Sequence, residues 1–216
     1  PGTSVRDLLK FGGHITGFSI VNYFSRNFDA VLLGRFYGSG VLGLYSRAHS
    51  IMMLPVNQIR RPLDIVSTPA LSQIRNDPDR FRRYYVKLLN LLSFITMPLM
   101  VFLFVYAYEI ITLLLGSSWT EASGIFRILC ISAFILPVST TWGLVLISLG
   151  QSSRYLKWGI INSVIIVFSF VFGLPWGAIG VAIGYTIATY VLLVPTLLFS
   201  FWHSPIALTD FFNAIM

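Results

Sequence analysis

The run GIINSVIIVFSFVFGLPWGAIGVAIGYTIATYVLLVPTLLFSFW, residues 159–202, decides the fold class, because it holds no Asp, Glu, Lys, Arg or His from end to end. It is about twice as long as the roughly 20 residues a helix needs to cross a bilayer. GLPWGAIG at its centre (173–180) reads as a tight turn between two crossings, Pro175 ending one helix and glycines easing the start of the next. A second apolar block, LLNLLSFITMPLMVFLFVYAY (88–108), is again of crossing length. Over the 216 residues, 56% are hydrophobic and only 11% charged, so the chain reads as an all-α polytopic membrane protein.

Working outward from these blocks, the sequence predicts six crossings at about 12–34, 41–66, 86–108, 123–148, 158–174 and 177–201. The segments between them alternate in charge. Arg6 and Lys10, then Arg75, Arg80, Arg82, Arg83 and Lys87, then Arg154 and Lys157 fall on one side; Arg35, then Glu109, Glu121 and Arg127 fall on the other. The basic side is expected to be cytoplasmic. Asp77, Pro78 and Asp79 make a helix start in NDPDRFRRYYVK (76–87), with the arginines behind them at headgroup depth. A net charge of +7 distributed in this way belongs to anionic lipid and gives no reason to expect nucleic acid. The bundle is expected to occupy residues 1–202, and 203–216 to lie along the interface or lead into a further part. The start at Pro1 and the ending TDFFNAIM give the expectation of a piece of a longer protein.

The first crossing carries unexpected polar residues. Asn22, Ser25, Arg26 and Asp29 share one helical face. A central arginine or aspartate facing lipid costs on the order of 3 kcal/mol, so this face is expected to meet an aqueous or protein-lined cavity, with Arg26 and Asp29 close enough to pair. The second crossing holds Arg47, His49, Asn57, Gln58, Arg60, Arg61 and Asp64, with prolines at 55, 62 and 69. A helix broken at Pro55 and Pro62 beside a polar cavity is the expectation. The candidate site is therefore Asn22, Arg26, Asp29, Arg47, Arg60, Arg61 and Asp64, with Tyr185 and Thr186 as further lining. Four arginines against two aspartates make the expected cavity net positive, suited to phosphate oxygens. Other readings stand beside this one: Arg26 as a structural partner of Asp29, Arg47 snorkelling at the outer interface, and Arg60, Arg61 and Asp64 at the inner end of a long helix.

No nucleophile–base pair, zinc spacing or phosphate-binding glycine loop is present, so neither enzyme chemistry nor a cofactor is expected. The single cysteine, Cys130, lies in an apolar run and excludes an internal disulfide.

LGLYSRAHSIMMLPVNQI (42–59), STPALSQIRNDPDRFRRYY (67–85), YAYEIITLLLGSSWTEAS (106–123) and AIGVAIGYTIAT (178–189) resemble, in order and spacing, the second half of bacterial lipopolysaccharide O-antigen flippases, within the multidrug, oligosaccharidyl-lipid and polysaccharide exporter superfamily. The resemblance implies one six-helix lobe of a two-lobe alternating-access transporter in the bacterial inner membrane, whose first lobe is missing here. The implied cargo is an anionic oligosaccharide linked to undecaprenyl diphosphate, and basic residues of the opening helices, here Arg26, Arg47 and Arg60 or Arg61, would line its path. A coupling H+ or Na+ is a further implied partner, with Asp29 the residue to carry it. Two rivals are weighed. A multidrug extruder of organic cations would need acidic residues in excess, and a glycosyltransferase or polymerase would need catalytic carboxylates or a large soluble loop.

Overall fold

The computed structural model describes residues 5–215; positions 1–4 and Met216, the outer ends of the two expected segments, lie outside the described residues. All regular structure within that range is helical. The first element, α1 (Val5–Gln73), leaves helical dihedrals at a single residue, Gly38, with φ 80° and ψ 179°. That left-handed φ is open to glycine because it has no Cβ to collide with the following carbonyl. The chain reverses there: Gly34 lies against the Leu42 side chain, and Asp29 reaches Tyr45. Each limb, 5–37 and 39–73, is about 50 Å long at 1.5 Å per residue.

The helix break expected at Pro55 and Pro62 is thus not where the sequence reading put it. Both prolines, and Pro69, sit within the continuous second limb. Proline's fixed φ near −65° lies inside the helical range, so each removes one hydrogen bond without forcing the backbone out of the helix. At this tight reversal the chain takes a positive φ, which glycine supplies cheaply.

Helix α2 (Pro78–Val105) starts where the sequence predicts. Asp77 caps it by accepting from the Arg80 amide at 3.0 Å, with Pro78 in the first turn. Tyr106 bends the path into α3 (Ala107–Leu115), which Gly116 terminates at φ 91°. A short 3₁₀ turn, Ser117–Trp119, leads to α4 (Ala122–Ser139), which bends at Thr140 and Thr141 into α5 (Trp142–Ser148). Then follow α6 (Ser152–Gly173), the turn Leu174–Trp176, and α7 (Gly177–Phe201). The backbones of α6 and α7 meet so closely that a Cβ on Gly173 would strike the Gly180 carbonyl, and one on Gly180 the Gly173 carbonyl. Last comes α8 (Leu208–Ile215), which packs beside α2.

Two apolar cores stack along the bundle. One gathers Leu33, Tyr45, Met52, Met100, Ile111, Phe126, Phe170 and Val181 near the Gly38 reversal. The other gathers Leu71, Phe81, Tyr85, Leu92, Val145, Leu197 and Phe211 towards the basic end. Large apolar side chains also point outward, including Phe94, Leu113, Phe168, Phe172, Ile187 and Val191. Three helical stretches, Pro78–Val105, Ala122–Ser148 and Ser152–Phe201, are long and apolar enough to cross a membrane.

Candidate functional site: a polar cavity beside α1

A cavity of about 450 Å3 lies between α1, the α4–α5 bend, α6 and α7; none of its lining residues comes from α2 or α3. Both limbs of α1 contribute. Asn22, Ser25, Arg26 and Asp29 come from the first, Tyr45, His49, Arg60, Asp64 and Thr68 from the second. The opposite wall holds Trp142, Tyr155, Asn162, Tyr185 and Thr189.

Within this setting the two aspartates have different partners. Asp29, only 4% exposed, accepts from the Tyr45 hydroxyl at 2.9 Å and from the Ala30 amide at 2.7 Å. Asp64 forms an ion pair with Arg60 at 3.1 Å, one helical turn apart. Arg60 also extends a 3.5 Å contact to the Thr140 carbonyl, one of the groups the α4–α5 bend sets free. Arg26 donates from Nε to Asn22 Oδ1 at 3.3 Å and has no carboxylate within ion-pair distance among the described residues. It lines the cavity yet remains exposed, which places it at the rim.

The expected Arg26–Asp29 pair is therefore replaced. A tyrosine from the second limb and the neighbouring backbone amide take the carboxylate's lone pairs, and Arg26 turns to the amide of its own helix. The cavity's charge is also corrected: Arg26 and Arg60 balance Asp29 and Asp64, so the half-open cavity is not net positive. Arg47 and Arg61, the remaining candidates, do not line it. They are exposed on one stripe of the second limb with Leu54, Gln58 and Ile65.

Of the seven sequence candidates the cavity gathers five: Asn22, Arg26, Asp29, Arg60 and Asp64. Tyr185 lines it as well, while the Thr186 hydroxyl is spent on the Ala182 and Ile128 carbonyls. Tyr45, His49, Tyr155 and Asn162 were not singled out as lining. A signal existed for His49, an ionisable residue in the polar run YSRAHS, four positions and so one helical turn from Tyr45. Among the described residues no group of His, Cys, Asp and Glu is arranged to hold a metal ion. His14 instead meets the Ser152 hydroxyl at 3.1 Å.

With this geometry in place, similarity to known proteins becomes informative. Residues 2–124, more than half of the chain, match the family described as "Polysaccharide biosynthesis protein". The chain belongs to that family. Among family relatives, the lipopolysaccharide biosynthesis protein WzxC of Escherichia coli K12 is 27% identical over 203 residues, covering 90% of this chain and 41% of that protein. The teichuronic acid biosynthesis protein TuaB of Bacillus subtilis is 26% identical over 154 residues, 71% of this chain and 32% of the relative. The chain thus spans less than half the length of the relatives it matches. Among solved structures, the lipid II flippase MurJ in an inward closed conformation superposes with a TM-score of 0.74 at 23% identity, over 92% of this chain and 43% of that one. The fold is the one seen in part of that flippase, and this member of the polysaccharide biosynthesis family is a multi-pass α-helical protein of the bacterial inner membrane.

Proposed function

We propose that this chain is the second six-helix lobe of a flippase that moves undecaprenyl-diphosphate-linked oligosaccharide across the bacterial inner membrane for surface polysaccharide synthesis. The lobe takes in residues 1–202. Its crossings are the two limbs of α1, α2 with α3, α4 with α5, α6 and α7, and residues 203–216 link it onward. The observation that carries the reading is that Arg26, Arg47 and Arg61 stand exposed on α1 with no carboxylate at ion-pair distance among the described residues. Uncompensated guanidiniums on an otherwise membrane-buried hairpin are costly unless an aqueous path and an anion meet them, and a diphosphate fits their planar fork.

The cargo's path is the outer side of α1, facing a first lobe, rather than the polar cavity. At about 450 Å3 that cavity has the size of a small-molecule pocket and falls short of a diphosphate carrying several sugar rings. Its role in this reading is coupling: Asp29, buried and hydrogen-bonded, is the place where an H+ or Na+ would act. Transport, not bond-making, is the activity. An extruder of organic cations fits less well, since the cavity holds as many arginines as aspartates.

Reconstitution of the full-length protein with a fluorescent undecaprenyl-diphosphate oligosaccharide tests the proposal. Arg26→Ala and Arg47→Ala are expected to abolish leaflet exchange while the protein still folds; exchange at the wild-type rate in both would reject the cargo assignment. Unchanged exchange by Asp29→Asn at every pH and sodium concentration would reject the coupling role.

A further inference from the structure

The basic residues around the start of α2 are not equivalent. Arg82 is held by Asp210, with Nε donating to Oδ2 at 2.7 Å and Nη2 to Oδ1 at 2.5 Å. Arg80 lies 4.0 Å from Asp77. Arg83 and Lys87 have no carboxylate within ion-pair distance among the described residues, and both are exposed.

They also share a face. Four residues apart, they are neighbours on the helix surface, where two like charges repel unless an anion lies between them. The same stripe continues through Asn90 to Leu91 and Phe94, exposed at 46% and 81%. The opposite side of α2 is buried, through Tyr85, Leu88, Leu89 and Leu92. Arg83 and Lys87 therefore stand where an outward-facing apolar stripe gives way to a polar one, the boundary between acyl chains and headgroups on a helix long and apolar enough to cross.

From this juxtaposition we infer that Arg83 and Lys87, with the Asn90 amide below them, form a docking site for the headgroup of an anionic phospholipid whose acyl chains lie along Leu91 and Phe94. The phosphate sits between the two cations, and the amide faces the ester region. The occupant is a bulk phospholipid and not the lipid-linked diphosphate, because no α2 residue lines the cavity that Arg26 and Arg60 share. The site accounts for the absence of a carboxylate partner here, one turn away from arginines that have one.

Native mass spectrometry of the full-length protein in detergent, with equimolar phosphatidylglycerol and phosphatidylcholine as probes, tests the inference. Wild type is expected to retain phosphatidylglycerol by about thirtyfold over phosphatidylcholine, as two cations at a membrane surface predict. Arg83→Gln with Lys87→Gln is expected to remove most of that preference. Arg75→Gln with Lys157→Gln, which takes the same charge from exposed positions elsewhere at the basic end, is expected to keep it. Equal preference in both double variants overturns the site. So does displacement of phosphatidylglycerol from the wild type by substoichiometric undecaprenyl diphosphate, which would make the site part of the cargo path. Circular dichroism of each variant confirms that the helices are intact before the comparison is read.

Discussion

The Tyr45 hydroxyl donates to Asp29 Oδ2 at 2.9 Å, tying the two limbs of α1 together seven residues beyond their reversal at Gly38. Both groups are buried, Tyr45 being 2% exposed, so water does not replace the bond if it is lost. Tyr45→Phe is expected to destabilise the protein by about 1–3 kcal/mol, the usual cost of leaving a buried acceptor without its donor. Asp29→Asn, whose amide oxygen still accepts from the Ala30 N–H while its NH2 donates to the tyrosine oxygen, is expected to cost less. Thermal unfolding of the two variants in the same detergent checks the order.

Gly38 itself carries a second expectation. Its φ of 80° is strained for any residue with a Cβ, although nothing lies within 4 Å of the place that Cβ would take. Gly38→Ala should therefore cost about 1–2 kcal/mol through the backbone alone. Gly12→Ala, in open space within helical backbone, should be neutral or stabilise by up to about 1 kcal/mol. Comparing the two melting temperatures separates dihedral strain from crowding.

How far the sequence reading reached is clearest around these two residues. The apolar runs placed the helices, because length and absence of charge are enough for that in a bilayer. The face Asn22–Ser25–Arg26–Asp29 was legible from helical period alone, and the structure turns all four into the cavity. Asp29's partner was not legible. Tyr45 opens the polar run YSRAHS, but nothing in its spacing pairs it with a residue sixteen positions earlier, and it reaches Asp29 only because the limbs fold back on each other. Pro55 and Pro62 stay inside the second limb, and the reversal falls at Gly38 instead. The net charge of the cavity failed for a related reason: Arg47 and Arg61 share a stripe offset from Arg60, and side-chain direction decides which enclosed space a residue belongs to.

The crossing of α6 and α7 should tolerate no side chain. Gly173→Leu or Gly180→Leu places atoms where the facing carbonyl already lies, and neither backbone can withdraw without separating two helices. A loss of about 3 kcal/mol or more is expected, at or beyond the upper range for overpacking. The readout is the yield of monodisperse protein after extraction. Gly124→Leu, at a position with nothing within 4 Å of the added Cβ, is the matched comparison and should be recovered like the wild type.

Attachment of α8 should depend on pH in a defined direction. Arg82's hydrogen bonds, and secondarily the Ala207 amide and the arginine's charge, hold the Asp210 carboxyl below its usual value of 3.8. A carboxylate with a lowered pKa contributes stability that is complete above its unfolded value and lost as pH falls through the folded one. Protection of the amides in residues 208–215, measured against the intrinsic exchange rate at each pH, is therefore expected to stay constant above about pH 4 and to fall only in stronger acid. Asp210→Asn should raise exchange at neutral pH and flatten the profile.

If the chain acts as proposed, the dimensions of its polar chamber bear on how cargo is selected. A half-open pocket of about 450 Å3 does not enclose a glycan several rings long, so it cannot read the order or branching of the whole repeat unit. Selection among repeat units would then have to rest on the carrier's phosphates and on the outer surface of the hairpin. Grafting this hairpin into a relative that handles a different polymer should consequently shift that relative's sugar preference towards the one belonging to this chain.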